Sequence, residues 1–153
     1  MTTIILSILG ILLAAAAALM IVFYGGEAFT EGSVSAHSNT LENAGANVLS
    51  ASMMYRLENG SLPTSLSQLV TGGRYLQEEP DLMGIGSSSY IAGGYYDVIG
   101  VSREVCLKVV ENLAAEGGPA PSNPAARDTG AKMGCFDPSS GGTSNASIFY
   151  VKL

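Results

Sequence analysis

The chain of 153 residues has no tryptophan, one histidine, two cysteines, and seven basic side chains against thirteen acidic ones. No lysine or arginine precedes Arg56. The net charge of −6, without a basic cluster, disfavours nucleic acid as a partner, because the phosphate backbone repels charge of the same sign. The single histidine, His37, gives a Ser–His or Cys–His catalytic pair little support, and we expect it to be a packing or solvated residue. The sequence therefore predicts that the protein is not an enzyme.

Patterns that bind metals or phosphate are also scarce. No His or Cys residues stand at zinc-site spacing. The stretch GIGSSS at Gly84–Ser89 resembles half of a phosphate loop, but no lysine or flanking strand and helix accompanies it, so we expect a turn. Asp137–Asn145 offers oxygen atoms to Ca²⁺, but with one carboxylate a plain surface loop is the simpler interpretation. We expect neither a metal site nor a cofactor.

Long hydrophobic runs are absent after Tyr24, but the chain begins with one. Residues Ile4–Tyr24 are interrupted only by small side chains, which meets the requirement of about 20 apolar residues for a membrane-spanning helix. A secretory signal peptide would have a basic region and a small-residue cleavage site. Because the basic region is missing and Tyr24–Glu27 is a poor cleavage site, we expect a retained helix or the mature end of a chain that has lost a basic leader.

Small residues recur every four positions in this segment, at Gly10, Ala14 and Ala18. This spacing lines one face of a helix, where neighbouring helices can approach closely and pack. The alternative is a plain single-span anchor in which the alanine content has no role, and the pattern alone favours neither.

Beyond Gly25 and Gly26, where we expect a flexible break, an amphipathic pattern predicts that the helix continues to a stop at Asn59-Gly60. A second apolar stripe, Leu49, Met53 and Leu57, has the four-residue spacing that would hold a globular head. The predicted helical seam consists of residues that stand seven apart: Val34, Leu41, Val48 and Tyr55. Three positions after the first three of these stand smaller or polar residues: His37, Ala44 and Ala51.

The rest of the chain reads as a small mixed domain. A short helix capped by Thr64 or Ser65 ends at Val70, and two strands flank a two-residue turn at Gly93-Gly94. Ser102 is a plausible N-cap for a helix whose inward face has Val105, Cys106, Val109 and Leu113. We expect a loop over Pro119–Gly134 and a final strand within Ser144–Leu153. The predicted fold class is α+β.

The two cysteines, Cys106 and Cys135, both follow the apolar segment. If that segment lies in a membrane, both cysteines share one compartment, and an even pair on the exported side favours a disulfide. Closing the 28-residue intervening loop would contribute roughly 3–4 kcal/mol of stability. The alternative is two unrelated buried thiols.

Together these features resemble a type IV pilin. The stretch YRLENGSLPTSLSQL, Tyr55–Leu69, is similar to the transition at the end of the long helix in pilins and pseudopilins. The stretch YYDVIGVSREVCLKVV, with Met1 as first mature residue, resembles the type IVb subclass of toxin-coregulated and conjugative thin pili. The resemblance implies the pilin fold: an apolar assembly helix over 1–26, an amphipathic continuation over 27–59 that packs on the head, and a globular head over 60–153 with a disulfide region over 106–135.

The resemblance also implies roles for residues of the first segment. A prepilin peptidase would remove a basic leader and Met1 would be N-methylated, and Ile5, Gly10, Ala14 and Ala18 would pack in a filament core. The family's usual glutamate at position five is Ile5 here, which leaves that assembly contact without its carboxylate. The family's proline near position 22 is Val22, and we expect Gly25-Gly26 to loosen the helix instead.

The predicted function is that of a major pilin, the structural subunit of an extracellular type IV pilus. The chain would lie in the inner membrane before assembly, with the assembly machinery and other copies of itself as partners, and its head would contact cell surfaces or other pili. The alternatives are a pseudopilin or minor pilin of a secretion machine, and a single-span anchored periplasmic binding domain.

Overall fold

The computed structural model of the chain describes residues 2–115, 127, 130–138 and 147–153, with residues 2–7 and 21–29 described by their backbone alone. The chain divides into two units, Met1–Val34 and Ser35–Leu153. Its class is α+β, as predicted. In chain order the elements are α1 (Thr2–Asn59), α2 (Leu66–Val70), a 3₁₀ helix (Thr71–Gly73), β1 (Ser88–Ala92), β2 (Tyr95–Val101), α3 (Arg103–Ala115), β3 (Met133–Phe136) and β4 (Ser147–Lys152).

The first helix, α1, has 58 residues and is α-helical at Gly25 and Gly26. The break predicted there is therefore not seen in the single chain, since a helical glycine costs only about 1 kcal/mol relative to alanine. Loosening of these residues within a filament stays a prediction. The stop at Asn59 is confirmed: Gly60 has φ of +73°, and its N–H donates to the carbonyl of Arg56 at 2.8 Å.

The four strands form one antiparallel sheet in the order β1-β2-β4-β3. The predicted hairpin is confirmed, because Gly93 and Gly94 join β1 to β2 with φ of +60° and +80°, the backbone that a type I′ turn requires. The predicted final strand is β4. The prediction of a loop through Gly134 is wrong at its end: β3 is a four-residue strand at the sheet edge that pairs with β4, and its short MGCF sequence carries no alternating signal.

Helices cover one face of the sheet, here called the inner face. Because side chains alternate along a strand, Tyr96, Val98, Phe149 and Val151 share this face, and all four are fully buried. On the opposite, outward face lie Tyr95, Asp97, Phe136, Tyr150 and Lys152.

Within the Ser35–Leu153 unit, α1 packs on the inner face through Gly45. A Cβ atom at Gly45 would lie 2.7 Å from Val151 Cγ2 and 3.1 Å from Phe149 Cζ, so only glycine allows this approach. The buried face of α1 follows the predicted seam at Leu41, Ala44, Val48 and Ala51.

The prediction that Leu49, Met53 and Leu57 hold the head is wrong. Met53 and Leu57 are exposed, Leu57 at 86%, and Leu49 is half-buried. The physical reason is closeness of approach: the sheet packs where α1 presents small residues, and this stripe of bulky side chains lies on the other side of the helix.

The third helix, α3, lies beside α1 on the inner face. The predicted cap is confirmed, since the Val105 N–H donates to Ser102 Oγ at 3.3 Å. Asn112 Nδ2 donates to Glu42 Oε1 at 3.0 Å, which links α3 to α1. Val105, Cys106 and Val109 are buried as predicted, and Leu113 is half-buried.

Candidate functional site

Residues 8–20 of α1 form an apolar surface. Every residue from Ile8 to Met20 is apolar and exposed, for example Ile11 at 69%. Gly10, Ala14 and Ala18 are among them, and a Cβ atom at Gly10 would meet nothing within 4 Å. An apolar surface of this kind usually marks contact with another protein or with lipid.

The structure describes no side chain for two further residues with predicted roles in the first segment. Ile5 is described by its backbone alone, and Met1 lies outside the described residues. The predicted span Ile4–Tyr24 extends past residues 8–20 at both ends. Among the described residues, no helix combines the length and hydropathy that crossing a membrane requires.

The cysteines behave as the sequence predicts. Cys106 of α3 and Cys135 of β3 are joined in a disulfide with their Cα atoms 5.6 Å apart, and both residues are buried. The bond ties α3 to the edge strand on the inner face of the sheet.

An open groove of about 510 Å³ lies between α1 and the segment Tyr75–Asp81. Its lining includes Asn43 and Asn47 of α1, and Glu78 and Glu79 from the facing segment, all exposed. Among the described residues, no basic side chain lines this groove. These carboxylates form the solvated acidic rim of the head.

A polar cluster joins the end of α1 to the following loop. The Tyr75 hydroxyl donates to Glu58 Oε2 at 2.5 Å, and Arg74 Nη2 lies 3.2 Å from the same oxygen. The hydrogen bond to the Glu58 carboxylate raises the pKa of the Tyr75 hydroxyl. The cluster joins Glu58, near the end of α1, to Arg74 and Tyr75, and so positions the chain that leaves the helix.

A buried ion pair lies on the outward face of the sheet. Arg127 Nη2 donates to both carboxylate oxygens of Asp97, at 2.6 Å each. The side chains are only 4% exposed at Asp97 and 27% at Arg127. Ion pairs held away from solvent are screened less than surface pairs, and this is the most buried charge pair among the described residues.

Three aromatic rings surround the Arg127 guanidinium. Its central carbon lies 4.2 Å from the ring centroid of Tyr95 and 5.5 Å from those of Phe136 and Tyr150. These distances are within the range of cation–π attraction. We call Asp97 with these three rings the Asp97 box.

Burial favours the neutral forms of two titratable groups in this sheet. It raises the pKa of the Asp97 carboxyl, an effect that exceeds the lowering by the Arg127 guanidinium beside it. Burial likewise raises the pKa of the Tyr96 hydroxyl on the inner face.

The sequence predictions contained neither the Asp97 box nor Arg127. A signal exists in hindsight: Asp97 interrupts a strand of aromatic and β-branched residues, and Arg127 is the one basic residue between Lys108 and Lys132. Pairing them requires knowledge of the fold, because they stand 30 residues apart.

The other sequence candidates give no site. His37 is half-buried, and within the described part of the chain no group of His, Cys, Asp and Glu residues could hold a metal ion. Most of the Asp137–Asn145 loop lies outside the described residues. Comparison with protein-family models, with curated proteins and with solved structures found no match for the chain.

Proposed function

We propose that this chain is the major structural subunit of an extracellular filament of the type IV pilus kind. The observation that carries the proposal is the run of thirteen exposed apolar residues, Ile8–Met20, in the same helix whose residues Leu41–Ala51 anchor the head. Fully burying one large apolar side chain contributes roughly 1.5–3 kcal/mol, so an exposed surface of this size requires a partner outside the single chain.

The proposed partner is the same segment of other copies. Lipid is as apolar as leucine, so transfer from a bilayer into a helix bundle depends on close packing rather than on the hydrophobic effect. Gly10, Ala14 and Ala18 supply a face of small residues on which such packing is feasible. The long N-terminal helix, the antiparallel sheet laid across its second half and the disulfide of the head are consistent with the pilin fold.

The experiment is electron microscopy of sheared surface material, with mass spectrometry of the same fraction. We expect filaments composed mainly of this chain, with Met1 as the first, methylated residue. Retention of the chain in the membrane fraction without filaments would instead favour the pseudopilin or the anchored domain, and Ile5 would be the first residue to question.

Two substitutions test the packing face directly. We expect Gly10→Leu and Ala14→Leu to abolish filaments while the head keeps its fold, because a bulky side chain prevents close approach of helices. The matched control is Ala16→Leu, which adds the same volume about 200° around the helix from Ala14. Filaments in normal numbers from both test variants, or equal loss from the control, would contradict the proposed packing.

The groove gives the anchored binding domain its one structural support. A cleft of about 510 Å³ is within the size range of ligand sites. Under that hypothesis the Gly10→Leu and Ala14→Leu variants should behave like the wild type in every respect.

A further inference from the structure

The outward face of the sheet has a charged group where neutral residues would be expected. Asp97 lies in the second of four strands and is almost wholly buried, and its only described charged partner is Arg127. An ionised carboxylate buried there without a counter-charge would be strongly unfavourable. The position therefore depends on a cation being held there.

The strands, and not the segment that carries Arg127, build the receptor for this cation. Tyr150 is the register partner of both Asp97 and Gly134, so its ring lies between β2 and β3 on the outward face. A Cβ atom at Gly134 would lie 2.8 Å from the Tyr150 hydroxyl and 3.0 Å from Cζ, so the ring occupies the space above this glycine. Tyr95 and Phe136 are also strand residues.

The geometry fits a planar cation better than an ammonium group. The central carbon of the Arg127 guanidinium lies 4.2 Å from the ring centroid of Tyr95 while its Nη2 donates to both oxygens of Asp97. A lysine ammonium is a compact point charge that could donate to the carboxylate, but it has no planar group to spread over the three rings.

We propose that the Asp97 box is a binding site for a guanidinium group, that Arg127 fills it from within the chain, and that protonation of Asp97 empties it. The proposal does not depend on the filament function. It assigns to Arg127 the role of an internal ligand of the outward face.

The acid response follows from linkage. Arg127 favours the ionised carboxyl, so protonation of Asp97 must weaken the hold on Arg127 by the same free energy. Burial raises the pKa of Asp97, so the folded protein takes up this proton at a higher pH than the unfolded chain does. The contribution of Asp97 to stability is therefore larger below its folded pKa than above it, and acid releases the Arg127 side chain without unfolding the head through this group.

Asp97 is the one carboxyl on the outward face among the described strand residues. The titratable or charged groups around it are Tyr90 of β1, Tyr95 of β2, Tyr150 and Lys152 of β4, and Arg127. When Asp97 gains a proton, the charge pair that loses its attraction among these groups is the pair of Asp97 and Arg127.

The test is chemical rescue of the full chain in detergent micelles. Arg127→Ala vacates the box, and we expect millimolar guanidinium chloride to raise the melting temperature of this variant by a few degrees along a one-site binding curve, with no effect of sodium chloride. The melting temperature of the wild type should not rise, because Arg127 already occupies its Asp97 box. The same response from Arg127→Ala and from the double variant Arg127→Ala, Asp97→Asn would overturn the binding site.

A second variant keeps the test decisive if Arg127→Ala does not fold. Arg127→Lys preserves the charge, and we expect it to melt below the wild type because a compact ammonium loses the contact of a planar cation with the three rings. Melting at the wild-type temperature would contradict selectivity for guanidinium.

The acid step is measured by hydrogen–deuterium exchange, corrected for the intrinsic pH dependence. We expect exchange around residues 130–136 to rise at least tenfold as Asp97 gains its proton, while β2 stays protected, and we expect Asp97→Asn to show the faster exchange already at neutral pH. Glu58→Gln is the control, since it removes the carboxylate of the exposed Arg74 pair. Exchange independent of pH in the wild type would refute the release of Arg127 by acid.

Discussion

The two parts of α1 use apolar residues in different ways. Over residues 35–59 one side of the helix is buried by the sheet and α3 of the same chain, and the contact side is marked by small residues such as Ala44, Gly45 and Ala51. Over residues 8–20 no side is buried, and the small residues Gly10, Ala14 and Ala18 face empty space.

The buried face of the head half combines the small residues Ala44, Gly45 and Ala51 with the larger Leu41 and Val48, so bulky residues alone do not mark the side that is approached. In the head half the stripe of small residues has its partner within the chain, whereas the larger Met53 and Leu57 are exposed. Under the proposed function, the small-residue face of residues 8–20 would pack on other copies of the chain. The following predictions distinguish packing within one chain from packing between chains. They do so by measuring the stability of the head and the assembly of the chain independently.

The largest effect on stability is expected from the fully buried Leu41. Leu41→Ala removes a side chain with 0% exposure from the buried face of α1, and we expect a loss of about 2–5 kcal/mol in the free energy of unfolding. Leu57→Ala is the matched control, because the same change at an exposed position should cost within about 0.5 kcal/mol. Denaturant unfolding of the full chain in detergent measures both, and equal losses would contradict the assignment of the buried face.

The next largest effect is expected from the disulfide. We expect the double substitution Cys106→Ser, Cys135→Ser to lower the unfolding free energy of the head by roughly 3–4 kcal/mol, because the bond closes a long loop. Assembly through residues 8–20 should persist wherever the head remains folded. Protease digestion should cut the C-terminal region faster in the variant. Free thiols at both positions in the native protein, with unchanged mass on reduction, would remove this claim.

Much of the head was predictable because its signals are local. Gly93-Gly94 requires positive φ at two adjacent residues, Ser102 caps the helix that follows it, and the seam of α1 repeats every seven residues. Each of these features depends on neighbours in sequence, so the pattern alone determines it.

The features that escaped prediction depend on contacts between distant parts of the chain. β3 has four residues and becomes a strand only because β4 pairs with it, and the Asp97–Arg127 pair joins a strand to a distant segment. The head-binding face of α1 was assigned in part to bulky residues, because sequence periodicity does not show which side of a helix a sheet can approach. Gly45 decides this, and only the contacts with Val151 and Phe149 reveal it.

The smallest effect on stability is expected from Gly45→Ala, which tests how closely the sheet approaches α1. In Gly45→Ala the new Cβ atom would meet Val151 Cγ2 at 2.7 Å and Met133 Cε at 3.2 Å, so side chains of the inner face must shift. Overpacking of this kind costs about 1–3 kcal/mol, from which the better helix propensity of alanine subtracts about 1 kcal/mol. We expect a net loss of up to about 2 kcal/mol in denaturant unfolding. Gly32→Ala is the control: its Cβ atom meets nothing within 4 Å, so the substitution should be neutral or stabilising. If the two variants changed stability equally, close approach of the sheet would not be the reason for glycine at position 45.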